Sequence, residues 1–325
     1  MKVKNLFIMS LAAFSLVACS NDEEAAIPQD GSVVIKVATA EPKTKAGDGT
    51  TTNGYNKENL INSGKVYAFL NGTTLVETKE FTAGEKTVTF DKLTQGRPYD
   101  FVAVANTDKT ATTAEDFKTI EISAPTDKES FVMYEAKSIA SLAAVNNFDM
   151  TIKRVLSAVQ LGTVKRNQAA NVPESFRTAA MKIISLALYN VNPSVNLDGS
   201  KKPGTLINAT NVGAVFTEKT IAANNSELAI GAPSVAERAY ACPTDGAATL
   251  YAVLEVEFED VATKYYNIPL TAGLDANTLY LLNVEITGVG SDTPAVPDEF
   301  GSASGTITPA PWSNGSVIEI TGQEN

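Results

Sequence analysis

Three glutamates, Glu255, Glu257 and Glu259, alternate with Leu254, Val256 and Phe258 inside "ATLYAVLEVEFED" (248–260). A row of carboxylates invites two chemistries: a hard-cation site, or the paired acid and base of a glycosidase. The alternation argues against both. Residues two apart share one face of a strand, so the acids form the wet side of a strand whose apolar side meets a core. The chain has no histidine, which removes Ser-His-Asp and Cys-His nucleophiles and every imidazole-bound metal. Its two cysteines, Cys19 and Cys242, stand far apart. They make neither a disulfide framework nor a thiolate cage. Cys242 reads as a small buried core residue. GxGxxG, P-loop and GxSxG motifs in a strand–turn–helix setting are lacking. The expectation is a protein that is not an enzyme, with no catalytic residue, metal or cofactor.

The formal charge of −11 argues against a nucleic-acid partner, which needs a basic footprint. It also argues against docking on anionic lipid through a basic face. A length of 325 residues suits two domains of ordinary size.

Residues 1–18 read as a signal peptide. Lys2 and Lys4 precede an apolar run from Leu6 to Ala18 that is too short to span a bilayer. The run ends in "LVAC", which resembles the bacterial lipobox and implies that Cys19 is lipidated. The other reading is a soluble secreted chain in which Cys19 is incidental. The "SNDEE" that follows resembles the surface-export signal of Bacteroidota lipoproteins, or else is a solvated tether.

Strand and turn signals dominate the rest. "GSVVIKVAT" (31–39) puts Val33, Ile35 and Val37 on one face. The connector "AEPKTKAGDGTTTNG" (40–54) is basic and then nearly devoid of apolar residues. Asn71-Gly72 predicts a type I′ hairpin turn after Val66–Leu70. "KTVTF" (86–90), "YDFVAVAN" (99–106) and "FVMYEA" (131–136) are further strands. Thr113 and Asp116 in "TAEDFKTI" (113–120) sit at capping-box spacing and predict one short helix. "FDMTIKRVLSAVQLGTV" (148–164) is long enough to pass from one domain into the next. "AAMKIISLALYNV" (179–191) is apolar on both alternating faces and fits a buried helix by periodicity alone, but Ile183 and Ile184 and the "NVNPS" stop favour a central strand. "KYYNIPL" (264–270) and "TLYLLNVEITGVG" (278–290) are expected to pair with each other. Many short strands with turn signals imply an all-β chain of sandwiches. Tyr55, Tyr99 and Tyr134 are scattered and form no sugar platform.

Taken in order, "LVAC", "PKTKAG", "MTIKRVLSAVQL", "ISLALYNVNPSVNL", "NIPLTAGLDANTLYLLNVEITGVGSDTP" and "PAPWSNGSVIEI" resemble the fimbrillin family, the major-subunit pilins of type V pili in Bacteroidota. The resemblance covers essentially the whole chain. It implies two tandem transthyretin-like β-sandwich domains with a short helix and a C-terminal donor-strand segment. It implies a precursor that travels as a lipoprotein to the outer membrane and cell surface. There a trypsin-like surface protease cuts after a basic residue of the connector and the first strand is lost. The matching bond is Lys45–Ala46. Family members often carry Arg there, whereas this chain has Lys43 and Lys45. The expected parts are a signal peptide at 1–18, a propeptide with a removable strand at 19–45, an N-terminal sandwich at 46–154, a C-terminal sandwich at 155–295, and a donor extension at 296–325.

Loss of a half-buried strand leaves apolar pockets and unpaired backbone groups, an edge that recruits another strand. The candidate replacement lies at the other end. "GSVIEITG" (315–322) puts Ile318 and Ile320 on one face, in line with Ile35 and Val37. Trp312 is the candidate anchor for that donor, or a core filler. The expected partners are copies of the same chain, anchor and tip fimbrial subunits, the protease, and the lipid of the precursor. The leading reading is a stalk pilin supporting adhesion or biofilm, extracellular in the fimbrium when mature. The alternatives are a lipid-anchored or accessory fimbrial subunit, or a monomeric glycan-binding lipoprotein of the cell surface.

Overall fold

The computed structural model describes residues 29–39, 58–207, 212–230, 237–246, 250–294 and 303–311. The first half runs β1 (Asp30–Thr39), β2 (Gly64–Leu70), β3 (Thr74–Phe81), β4 (Thr87–Thr94), β5 (Tyr99–Ala105), α1 (Ala114–Lys118), β6 (Glu121–Ser123), β7 (Met133–Ile139) and β8 (Val145–Arg154). The second half runs β9 (Ser157–Arg166), α2 (Glu174–Thr178), β10 (Met181–Tyr189), β11 (Ser194–Asn196), β12 (Ala214–Val215), β13 (Thr220–Ile221), β14 (Ser226–Ala229), β15 (Arg238–Ala241), β16 (Tyr251–Phe258), β17 (Ala262–Pro269), β18 (Thr278–Ile286) and β19 (Ala303–Pro311). The described residues form an all-β fold with two short helices.

Local chemistry explains several boundaries. Asn71 and Gly72 both have positive φ, 52° and 71°, as a type I′ turn demands. Gly72 also needs its bare Cα, since a Cβ there would lie 2.6 Å from Asp100 Oδ2. The hydroxyl of Thr113 accepts from Asp116 N at 3.0 Å and opens α1. The second helix, α2, is one the sequence reading missed. Pro173, at φ −51°, occupies its N-cap position, and Phe176 packs edge-on against Phe258 of β16 at 5.2 Å. Tertiary packing stabilises a segment of five residues that has little helical signal of its own.

The first half forms one seven-stranded sheet in the order β3-β2-β5-β7-β8-β1-β4. It folds over between β7 and β8, which meet through two pairs, Met133–Arg154 and Tyr134–Lys153. The layer β8-β1-β4 then faces β2 and β5. Val33, Ile35, Val37, Phe90, Phe101 and Met150 share the core between them. The chain crosses to the second half at Val155-Leu156, both buried, as the long 148–164 segment predicts. There two layers, β12-β10-β16-β17 and β14-β9-β18-β19, enclose a second core. The "KIISLALY" segment is the central strand β10, flanked by β12 and β16.

The expected pairing of the 264–270 and 278–290 strands is corrected. Strand β17 pairs with β16, and β18 pairs with β9 and β19. They lie in opposite layers. Leu270 and Leu274 of the connection are fully buried in the second core, so the link turns through the core instead of closing a hairpin. Each strand then buries one face against the other layer.

A third core joins the two halves. It packs Tyr67, Phe69, Val102 and Phe117 against Val195, Leu197, Tyr240 and Cys242. Strand β6 of the first half pairs with β11 of the second.

Candidate functional site

Strand β1 is interior to its layer. Its alternating sequence buries every second residue, and Val33, Ile35 and Val37 are each 0% exposed. On one side it runs antiparallel to β4, with Val33 opposite Phe90 and Ile35 opposite Val88. On the other it runs parallel to β8, with Val33 opposite Asn146, Ile35 opposite Phe148 and Thr39 opposite Ile152. The pockets are lined by aromatic rings. Phe101 lies 5.6 Å from Phe90 and 5.4 Å from Phe148, centroid to centroid.

The start of the strand is clipped by side chains. Gln95 Nε2 donates to the Asp30 carbonyl at 2.7 Å, and Asn146 Nδ2 to the Ser32 carbonyl at 3.2 Å. Gly31 sits where a Cβ would come within 2.8 Å of the Ala143 carbonyl oxygen. A residue with a side chain needs the neighbouring backbone to move. Withdrawal of β1 would therefore leave β4 and β8 with facing unpaired edges over an apolar groove. Each buried aliphatic side chain contributes about 1.5–3 kcal/mol, so the vacated groove is unfavourable by several kcal/mol before its lost ladder bonds are counted.

The other expected site residues divide cleanly. Cys19, Lys45, Ala46, Trp312, Ile318 and Ile320 lie outside the described residues, as does Tyr55. The described part of the C-terminal extension is β19. It pairs with β18 along its whole length, from Ala303 opposite Ile286 to Pro311 opposite Thr278, and Ile307 packs on the second core. Residues 303–311 are thus a strand of their own sandwich.

The glutamate row lies on the outer side of β16. Glu257 and Glu259 are exposed and Glu255 is half-buried, accepting from Ser185 Oγ at 2.7 Å. Among the described residues no three acidic, histidine or cysteine groups come together as a metal site. Cys242 is fully buried, and burial pushes its thiol up to about 12.

Sequence reasoning missed a buried ionic cluster at the junction of the two halves, built on Glu58, Arg154, Arg238 and Tyr240. Glu58 and Arg238 are 180 positions apart, and no local pattern marks such a pair. It also missed an aromatic pair. Tyr189 of β10 stacks on Tyr251 of β16, centroids 5.4 Å apart and planes 19° apart.

Residues 31–175 match the family model described as the major fimbrial subunit protein, FimA. No curated protein matches the sequence. Solved structures do share the fold. A putative cell adhesion protein from Parabacteroides distasonis is 14% identical, with a TM-score of 0.61 over 89% of this chain and 99% of that one. A putative cell adhesion protein from Bacteroides eggerthii is 17% identical, with a TM-score of 0.56 over 88% and 97%. A fimbrilin from Porphyromonas gingivalis is 13% identical, with a TM-score of 0.55 over 87% and 97%. The matched family is one of structural fimbrial subunits, not of enzymes. Over residues 31–175 the chain is similar to the major fimbrial subunit family, and as a whole it shares the fold of the fimbrilin.

Proposed function

We propose that this chain is a stalk pilin that polymerises by protease-triggered strand exchange. It is exported as a lipoprotein through Cys19 and cut at Lys45–Ala46, which frees residues 19–45 with β1. The vacated groove accepts the C-terminal segment of another copy, with Ile318 and Ile320 in the pockets of Ile35 and Val37 and Trp312 as its anchor. The two sandwiches, 46–154 and 155–295 with β19 added to the second, form the repeating unit. Since β19 is occupied by its own sandwich, the donating part of 296–325 begins after Pro311. Groove and donor belong to different surfaces of the unit, so the contact is heterologous and grows into a filament.

The observation that carries this reading is the place of β1. It is an interior strand with a fully buried face, yet it is the first of the described strands and precedes a basic connector. Because it lies N-terminal to the connector, a single cut there separates it from the rest of its sandwich. The experiment is intact mass and N-terminal sequencing of protein sheared from cells, beside the membrane-bound form. A sheared species that begins at Ala46 and migrates as a ladder is expected. A single lipidated species with residues 30–39 intact would make the chain an anchor subunit or a monomeric surface lipoprotein instead.

A further inference from the structure

Arg154 ends β8, two residues beyond Ile152, the last residue that pairs with β1. Its side chain turns into the junction of the two sandwiches and is 2% exposed. Nε donates to the Glu58 carbonyl at 2.9 Å, Nη1 to Asn277 Oδ1 at 3.4 Å, and Nη2 to Asn59 Oδ1. The Glu58 carboxylate, 0% exposed, accepts from Arg238 Nη1 at 2.6 Å and from the Tyr240 hydroxyl. Arg238 Nε in turn donates to Gln160 Oε1 at 3.0 Å. Three parts of the chain meet here: the stretch that follows the connector, the end of β8, and the second sandwich. A buried ionic cluster adds little net stability over apolar residues of the same size, but loss of one member is costly. Such a cluster suits a task of position.

The groove indicates which position matters. From Val145 to Ile152, β8 has β1 on one side, and its pairs with β7 are confined to Lys153 and Arg154. Once β1 has left, β8 is held to the fold by those two pairs, its core side chains and the cluster at its end. The same cluster secures the new N-terminal side of the cut. Beyond Glu58, Ile61 is buried, Asn106 Nδ2 donates to the Leu60 carbonyl at 2.7 Å, and Asn62 N donates to Asn106 Oδ1 at 2.8 Å.

We propose that the Glu58–Arg154–Arg238–Tyr240 cluster is a clasp that keeps β8 in place while the groove is empty, so that the incoming strand meets a wall already in register. Arg154 is then a positioning residue for strand uptake. This rests on the reading that β1 is removable.

The test uses the full-length chain, cut with trypsin under native conditions. After inhibition of the protease it is offered a fluorescent peptide of residues 30–39, DGSVVIKVAT. Wild type is expected to take up the peptide, and Arg154→Met to take it up on the order of tenfold more weakly. Deuterium exchange over 145–152 is expected to match wild type in the uncut variant and to rise above it in the cut one, which a general loss of stability would not produce. If Arg154→Met does not fold, Tyr240→Phe, which leaves the charges in place, carries the same test in the same direction. If cut wild type takes up no peptide, the removable-strand reading fails and the clasp falls with it. Equal uptake and equal exchange in wild type and variant overturn the clasp alone.

Discussion

Val37 of β1 stands directly across from Met150 of β8 in a parallel pair, and both side chains are closed to solvent. Parallel neighbours cannot be joined by a tight turn. Here all of β2–β7 lies between them in sequence. The first described strand is therefore laid beside the last strand of its sandwich, and its burial depends on the whole sandwich being built around it.

Truncation in the face of β1 should weaken the uncut chain. Ile35→Ala is expected to destabilise it by about 2–5 kcal/mol, the cost of emptying a well-packed aliphatic site. Urea unfolding reads this as a lowered midpoint at unchanged slope. On the reading proposed above, fimbriae assembled from the variant should match wild-type fimbriae in resistance to denaturant, because the altered strand has been discarded. A weakened fimbria would place β1 in the finished polymer.

Processing should depend on the basic pair of the connector. With Lys43 and Lys45 both replaced by alanine, the species that begins at Ala46 should vanish and the precursor mass should accumulate. Intact-mass spectrometry of the sheared and membrane fractions gives the answer. Continued release of a chain starting at Ala46 would remove Lys45 as the recognised residue.

The thiol of Cys242 should be inert in the folded chain. Burial raises it to about 12, so at pH 8 the reactive thiolate is about one part in ten thousand. A Cys19→Ser chain should give no colour with an aromatic disulfide reagent until guanidinium is added. Stoichiometric reaction of the native chain would mean that the third core opens readily.

Lys128 should give stability a distinct pH dependence. Its Nζ donates to the carbonyls of Gly213 at 2.6 Å and Arg238 at 2.8 Å and lies 5.8 Å from the centre of the Tyr240 ring. Burial lowers it from 10.5 to about 8. Between those values the unfolded chain holds a proton that the folded chain has released, so this group's contribution to stability rises with pH. Below pH 8 both states are protonated and the contribution is constant. The stability difference between wild type and Lys128→Met should therefore shift in favour of wild type from pH 8 to 10.5. A difference that is flat across that window refutes the assignment.

Short-range chemistry controls the features that can be read from the order of residues alone. The period-two runs of β1 and β16 set which residues face inward, because successive side chains on a strand must alternate. Asn71-Gly72 specified its turn through positive φ, and Thr113 specified the start of α1 through its hydroxyl. The family resemblance was legible too, carried by the order of its segments. The choice of partner for each strand was left to the tertiary structure. Nothing local in "KYYNIPL" or "TLYLLNV" says that β17 and β18 belong to opposite layers, since both are good strands with one apolar face. That choice comes from which arrangement buries both faces at once. The groove around β1 needs β4 and β8 on either side. The clasp needs Glu58 and Arg238 to meet across 180 positions. A charged residue that ends up fully buried looks, in a linear sequence, like any other surface charge, and only the packed junction of the two sandwiches removes it from water.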